Sequence, residues 1–175
     1  MNILYRYLLI IIAGIALLLG IQIPNLADQY EKRVDAHLRE VKINLQPFQD
    51  IADKYFGGSL EKLIELHHKS EVKAFQDEGA AIEDMVKRRL RFEADLAALQ
   101  VSLPMKVVHI LFNGDREMID ETLEQYTYAV PLNQDAVMTG AVVAAVILLA
   151  LELLLALVRY ISEAAIRHLR RPSGL

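Results

Sequence analysis

Two stretches of the chain carry almost no polar side chain, and the residues between them alternate apolar and charged positions at helical spacing. The first stretch runs from Tyr7 to Ile23. The second runs from Ala136 to Val158 and holds one acid, Glu152. A helix needs about 20 apolar residues to cross a hydrocarbon core. Both stretches are too long and too aliphatic for ordinary amphipathic helices, so both read as transmembrane helices, the first at the lower limit of length. A cleaved signal peptide is the competing reading for the first. Its apolar run is longer than a usual signal core, and the following "LLLGIQIPNLADQ" offers no small-x-small cleavage site, so an uncleaved anchor is the better reading.

The intervening segment patterns as helix almost throughout. Apolar residues at Leu26, Tyr30, Val34, Leu38, Val41, Leu45, Phe48, Ala52 and Tyr55 settle into alternating steps of four and three. That is a seven-residue repeat, and Val34, Leu38, Val41, Leu45 and Phe48 form a coiled-coil-like seam. Pro47 predicts a kink or break just before it. Gly57-Gly58 predicts the helix end, and Ser59 an N-cap. A short helix is expected over Leu60–Lys69 and a longer one over Glu71–Val101, with a stripe of Phe75, Ile82, Met85, Val86, Phe92, Leu96 and Leu99. The long helices then form a hairpin, with the short one as its link. The seam is filled by the Glu71–Val101 helix or by a second copy of the chain. Two further helices are expected over Pro104–Phe112 and Asp115–Tyr128, the second stopped by Val130-Pro131. The apolar run Val107–Phe112 is expected to be buried, because Lys106 is the only cation in its helix and interfacial helices carry a strongly charged face.

Charge orients the chain. Arg159, Arg167, Arg170 and Arg171 follow the second apolar stretch, Arg6 precedes the first, and the segment between is acidic. Positive flanks stay cytoplasmic. The expected organisation is a cytoplasmic N-terminus over 1–6, a transmembrane helix over 7–23, an extracytoplasmic helical domain over 24–135, a second transmembrane helix over 136–158 and a basic cytoplasmic tail over 159–175. The fold class is an all-α membrane protein, and the expected location is a bacterial inner membrane with a periplasmic central domain.

Three phrases add to this reading: "IQIPNLADQYEKRV" after the first apolar stretch, "FGGSLEKLI" in the middle and "DETLEQYTYAVPLN" before the second. Together they resemble a bacterial inner-membrane family catalogued only as a domain of unknown function, whose members have a membrane span near each end. The resemblance covers most of the chain. It implies the two-span layout and carries over no functional residue.

Candidate chemistry is sparse. Cysteine is absent, which removes disulfides, thiolate ligands and cysteine nucleophiles. No phosphate-binding glycine loop, nucleophile elbow or H-E-x-x-H helix is present. No cofactor is expected, and the chain is not expected to be an enzyme. Glu152 is the sharpest candidate, since an ionisable group inside a span usually faces a partner, a bundle interior or water. It lies about 9 Å from the end of its span at 1.5 Å per residue. Arg159 shares its face seven residues later, and Arg6, Tyr5 or Tyr7 reaches a similar depth. Pairing with Arg159 or a tyrosine is preferred over an ion pathway, because one acid alone makes a thin pathway. Ala16 and Gly20, Gly140 and Ala144, and Ala141 and Ala145 are spaced for close helix approach in lipid. Glu61, Glu65 and His68 share a helical face and are weak candidates for zinc or copper, with a solvated surface preferred. His37 and His109 lie beside apolar stripes and are expected at the core or its boundary. The basic run Lys87–Arg91 is matched at spacing four by Glu83–Lys87, Asp84–Arg88, Arg89–Glu93 and Arg91–Asp95, which accounts for it without nucleic acid. The expected partners are the lipid bilayer and either another protein or further copies of the chain. The expected function is non-enzymatic interaction or assembly through the central domain. The alternatives are an oligomeric channel or transporter subunit using Glu152, and a periplasmic sensor needing a partner for output.

Overall fold

The computed structural model describes residues 3–127 and 133–169, with side chains described as far as residue 162. Six helices, and no strand, occur among the described residues: α1 (Ile3–Phe56), α2 (Leu60–His68), α3 (Lys73–Ala98), α4 (Leu103–Asn113), α5 (Arg116–Glu124) and α6 (Gln134–Leu169). α1 and α6 are each long and apolar enough to cross a membrane. α5 ends at Glu124 with Gln125 as its C-cap, so the helix expected to run to Tyr128 stops earlier, before Val130-Pro131, which lies outside the described residues.

Neither Pro24 nor Pro47 ends α1, which is one helix of 54 residues. The break expected at Pro47 is absent. A helical proline frees the carbonyl four residues earlier, here that of Ile43. Pro47 and Ile43 are both exposed, so the proline lies on the solvent side of α1, where a freed carbonyl is not buried at a cost, and the helix continues. The real stop is Gly57-Gly58. Both take positive φ, 61° and 86°, a conformation that glycine adopts without a Cβ clash. The Gly58 N–H closes the turn on the Ala52 carbonyl at 3.0 Å. Ser59 then caps α2 by accepting the Lys62 N–H.

The chain forms two compact units. One comprises Met1–Asn25 and Tyr128–Leu175. Within it, Ala16, Gly20 and Ile21 of α1 and Ala136 and Gly140 of α6 are buried. A Cβ built on Gly20 would lie 2.8 Å from the Gly140 Cα, and one on Gly140 would lie 2.9 Å from the Leu17 carbonyl oxygen. The backbones touch there, which only glycine permits.

The other unit is Leu26–Thr127. Its core joins Val34, Leu38, Val41 and Leu45 of α1 to Ile82 and Phe92 of α3, Ile110 of α4 and Met118 of α5, with Leu99 beyond α3. The seven-residue stripe is therefore covered by the chain's own helices. Ala52, Leu60 and Leu63 form a second cluster, and Phe48 and Val86 pack against both. α1 and α3 run antiparallel: Tyr30 meets Asp95 near one end, and Phe48 and Val86 share a cluster towards the other. α2 links them. Gly79 lets α3 come close to it, since a Cβ there would lie 2.8 Å from that of His67.

Candidate functional site

The most buried chemistry in the Leu26–Thr127 unit is a cluster drawn from four elements. The Tyr30 hydroxyl of α1, 1% exposed, donates to Oδ2 of Asp95 on α3 at 2.5 Å. It accepts the backbone N–H of Asp115 at 2.7 Å. His109 of α4 places Nε2 2.6 Å from the other Asp95 oxygen. Asp115 caps α5 through the Met118 N–H, and its other oxygen pairs with Arg91 Nε at 2.9 Å. A buried carboxylate is tolerated only when its oxygens are satisfied, and both Asp95 oxygens are. Burial and then the Asp95 carboxylate raise the Tyr30 phenol far above its ordinary range, so the hydroxyl is a fixed donor. Each oxygen of the arrangement has a partner within the fold. Its chemistry is to tie α3, α4 and the start of α5 to α1.

A second polar group lies on α1 and α5. Glu121 accepts from Arg33 at 3.1 Å and lies 3.0 Å from His37 Nε2, while Arg33 also reaches Gln125 at 2.9 Å. The His37 contact first, then Arg33, hold the Glu121 carboxyl below its ordinary value of 4.5. A depressed carboxylate stabilises the fold fully above the unfolded value, and that contribution is lost as pH falls through the folded one. Glu121→Gln is therefore expected to flatten the loss of melting temperature below pH 4.5 and to leave the trend at neutral pH unchanged. Circular-dichroism melts across pH check this.

The charge pairing departs from the spacing rule. Glu83–Lys87 and Asp35–Arg39 form. Three of the four pairs expected around Lys87–Arg91 do not. Arg91 turns to Asp115 and Glu117, Glu93 to Lys42, and Asp95 to Tyr30 and His109. Asp50, four residues before Lys54, accepts instead from Gln46, one turn earlier on α1. For Arg91 and Glu93, opposite charges on other elements lie within reach and are taken in place of those one turn along.

Glu61, Glu65 and His68 line a shallow groove with Glu83 and Lys87. Each is engaged separately: Glu61 with Ser59, Glu65 with Lys69 and His68 with Glu83. Lys69 holds Glu65, and Lys87 then His68 hold Glu83, below the usual carboxylate value. No group of three such side chains is placed to share a metal ion among the described residues.

Burial of Val107–Phe112 holds for one face only. Ile110 is buried and Val107 and His109 are half-buried, while Met105, Val108, Leu111 and Phe112 are exposed, the last two at 70% and 79%. The inward face is fixed by His109–Asp95 and by the Lys106–Glu31 ion pair, which leaves the outward face uncovered.

In the other unit, Glu152, Arg159 and Arg6 are all exposed, and none of their side chains makes a hydrogen bond or ion pair among the described residues. Ala16, Gly20 and Gly140 are buried and Ala144 is half-buried, whereas Ala141 and Ala145 are exposed. The small residues thus divide between two faces of α6.

These features define a small all-helical protein with two helices of membrane-crossing length. The chain belongs to the family described as protein of unknown function (DUF2937), whose match runs over residues 4–163. No curated protein and no solved structure matches it.

Proposed function

We propose that the chain is an integral inner-membrane protein that assembles or tethers another protein through its Leu26–Thr127 unit. α1 and α6 serve as its spans, both termini are cytoplasmic, residues 24–135 are periplasmic, and no chemistry is catalysed. The apolar length of the two helices and the arginines flanking them support the membrane placement. The observation that carries the assembly role is the outward face of α4. Met105, Val108 and Phe112 recur at three and four residues, the spacing by which one helix presents a stripe to another, and Leu111 widens it. Exposed apolar patches rimmed by polar residues mark interaction surfaces. The saturated Asp95 cluster supports the non-enzymatic part, since its groups are spent on holding α4 in place.

Photocrosslinking in intact membranes tests this. A benzophenone side chain at Phe112 is expected to give one discrete protein adduct that disappears when Val108→Asp is added. The same probe at Asn44, exposed and polar on α1, is expected to give none. Adducts to lipid alone, or equal adducts at both positions, would contradict the proposal.

A further inference from the structure

Arg6 and Glu152 are opposite charges at one level of the same helix pair, and neither side chain is paired among the described residues. Gly20 and Gly140 fix the register. Stepping 14 residues back along α1 reaches Arg6, and 14 forward along α6 reaches Leu154, each about 21 Å at 1.5 Å per residue. As successive spans joined through the Leu26–Thr127 unit, the two helices run antiparallel, so Arg6 falls about 3 Å in depth from Glu152.

Rotation places them on the same side. At about 100° per residue, Arg6 lies about 80° beyond the half-buried Tyr5 and Leu9 on α1. Glu152 lies about 70° beyond the half-buried Leu148, Leu151 and Leu155 on α6. Rotations of the same sign on antiparallel helices point to one side of the pair. That side also carries Ala141, Ala145 and Ala156 of α6, all exposed, and small side chains admit a close neighbour.

We infer that this side binds a second copy of the chain about a two-fold axis along the membrane normal. The inference rests on the membrane reading above. A two-fold interface is self-complementary. Rotation brings the α1 of each copy opposite the α6 of the other, so Glu152 of one copy meets Arg6 of the next, and the reverse pair forms at once. Glu152, inside its span, thereby gains a counter-ion from the membrane edge; unpaired, an ionisable group in lipid is costly. The occupant is set by this complementarity: any other partner must supply a cation and an anion at one depth in the same arrangement, which this chain already does.

Charge exchange tests it, read by native mass spectrometry of the full chain released from nanodiscs. Wild type is expected as a dimer. Glu152→Arg alone places two arginines together, and Arg6→Glu alone places two acids together. Each is expected to dimerise about tenfold more weakly or worse. Mixed, the two variants are expected to recover a one-to-one dimer, because one new pair and one native pair both form. Glu152→Gln, a mild change that preserves insertion, is expected to weaken the dimer without recovery on mixing. A monomeric wild type, variants that dimerise normally, or a mixture without recovery would each overturn the inference, the last pointing to pairing within one chain. Recovery of the wild-type chain in the soluble fraction without detergent would instead defeat the membrane reading itself.

Discussion

Asp95→Ala is expected to destabilise the Leu26–Thr127 unit by about 3–4 kcal/mol, the range for removing one partner of a buried charged hydrogen-bond group. The substitution leaves the Tyr30 hydroxyl without its acceptor and His109 without its carboxylate, and it opens a void where Asp95 is 8% exposed. The damage extends beyond α3, because α4 is held at His109 and the entry to α5 through the Tyr30–Asp115 contact. Asp84→Ala, one helix with the same chemistry but an exposed side chain, is expected to change stability by no more than about 0.5 kcal/mol. Urea unfolding in mild detergent, followed by circular dichroism, measures both. Equal effects would show that the cluster does not organise the unit.

Gly140→Leu is expected to cost the helix pair about 3 kcal/mol, the upper part of the usual range for overpacking. A new side chain there meets the Leu17 carbonyl oxygen at 2.9 Å and Ile21 at 2.7 Å. The first is backbone and cannot swing aside, so the helices must separate. Val142→Leu, two residues on and exposed, adds a methylene without a clash and is expected to be neutral. SDS titration, followed by energy transfer between dyes on cysteines placed at Ile3 and Ser162, reads the separation. The natural absence of cysteine makes such labelling clean.

How much of this was legible in the sequence depends on how local each signal is. The two long apolar runs and the Val34–Leu45 stripe are one-dimensional patterns, and the helices they predict are present. The turn at Gly57-Gly58 and the Ser59 cap were equally readable, since each acts within a few residues. Pro47 misled because a proline's effect depends on whether its freed carbonyl reaches water, and exposure is a tertiary property. The pairing within the Tyr30–Asp95–His109 cluster was not legible: its members are 65 and 14 residues apart, and only the places of Tyr30 on an apolar stripe and of His109 at the edge of one were. The arginine-rich run misled in the opposite way: local spacing offered Arg91, Glu93 and Asp95 partners one turn away, while their actual partners sit on other elements. For α4, a helix apolar all round gave no indication of which side the bundle would cover. His109 was the available clue, since a histidine within an apolar helix marks the side that finds a carboxylate.

The central claim is that α1 and α6 cross the membrane and hold the Leu26–Thr127 unit outside it. Membrane-impermeant maleimide labelling of single cysteines in intact spheroplasts tests this most directly. A cysteine at Asn44 is expected to label from outside, and one at Ser173, in the basic tail, only after the membrane is opened. Labelling of both positions from outside, or of neither before permeabilisation, would contradict the account.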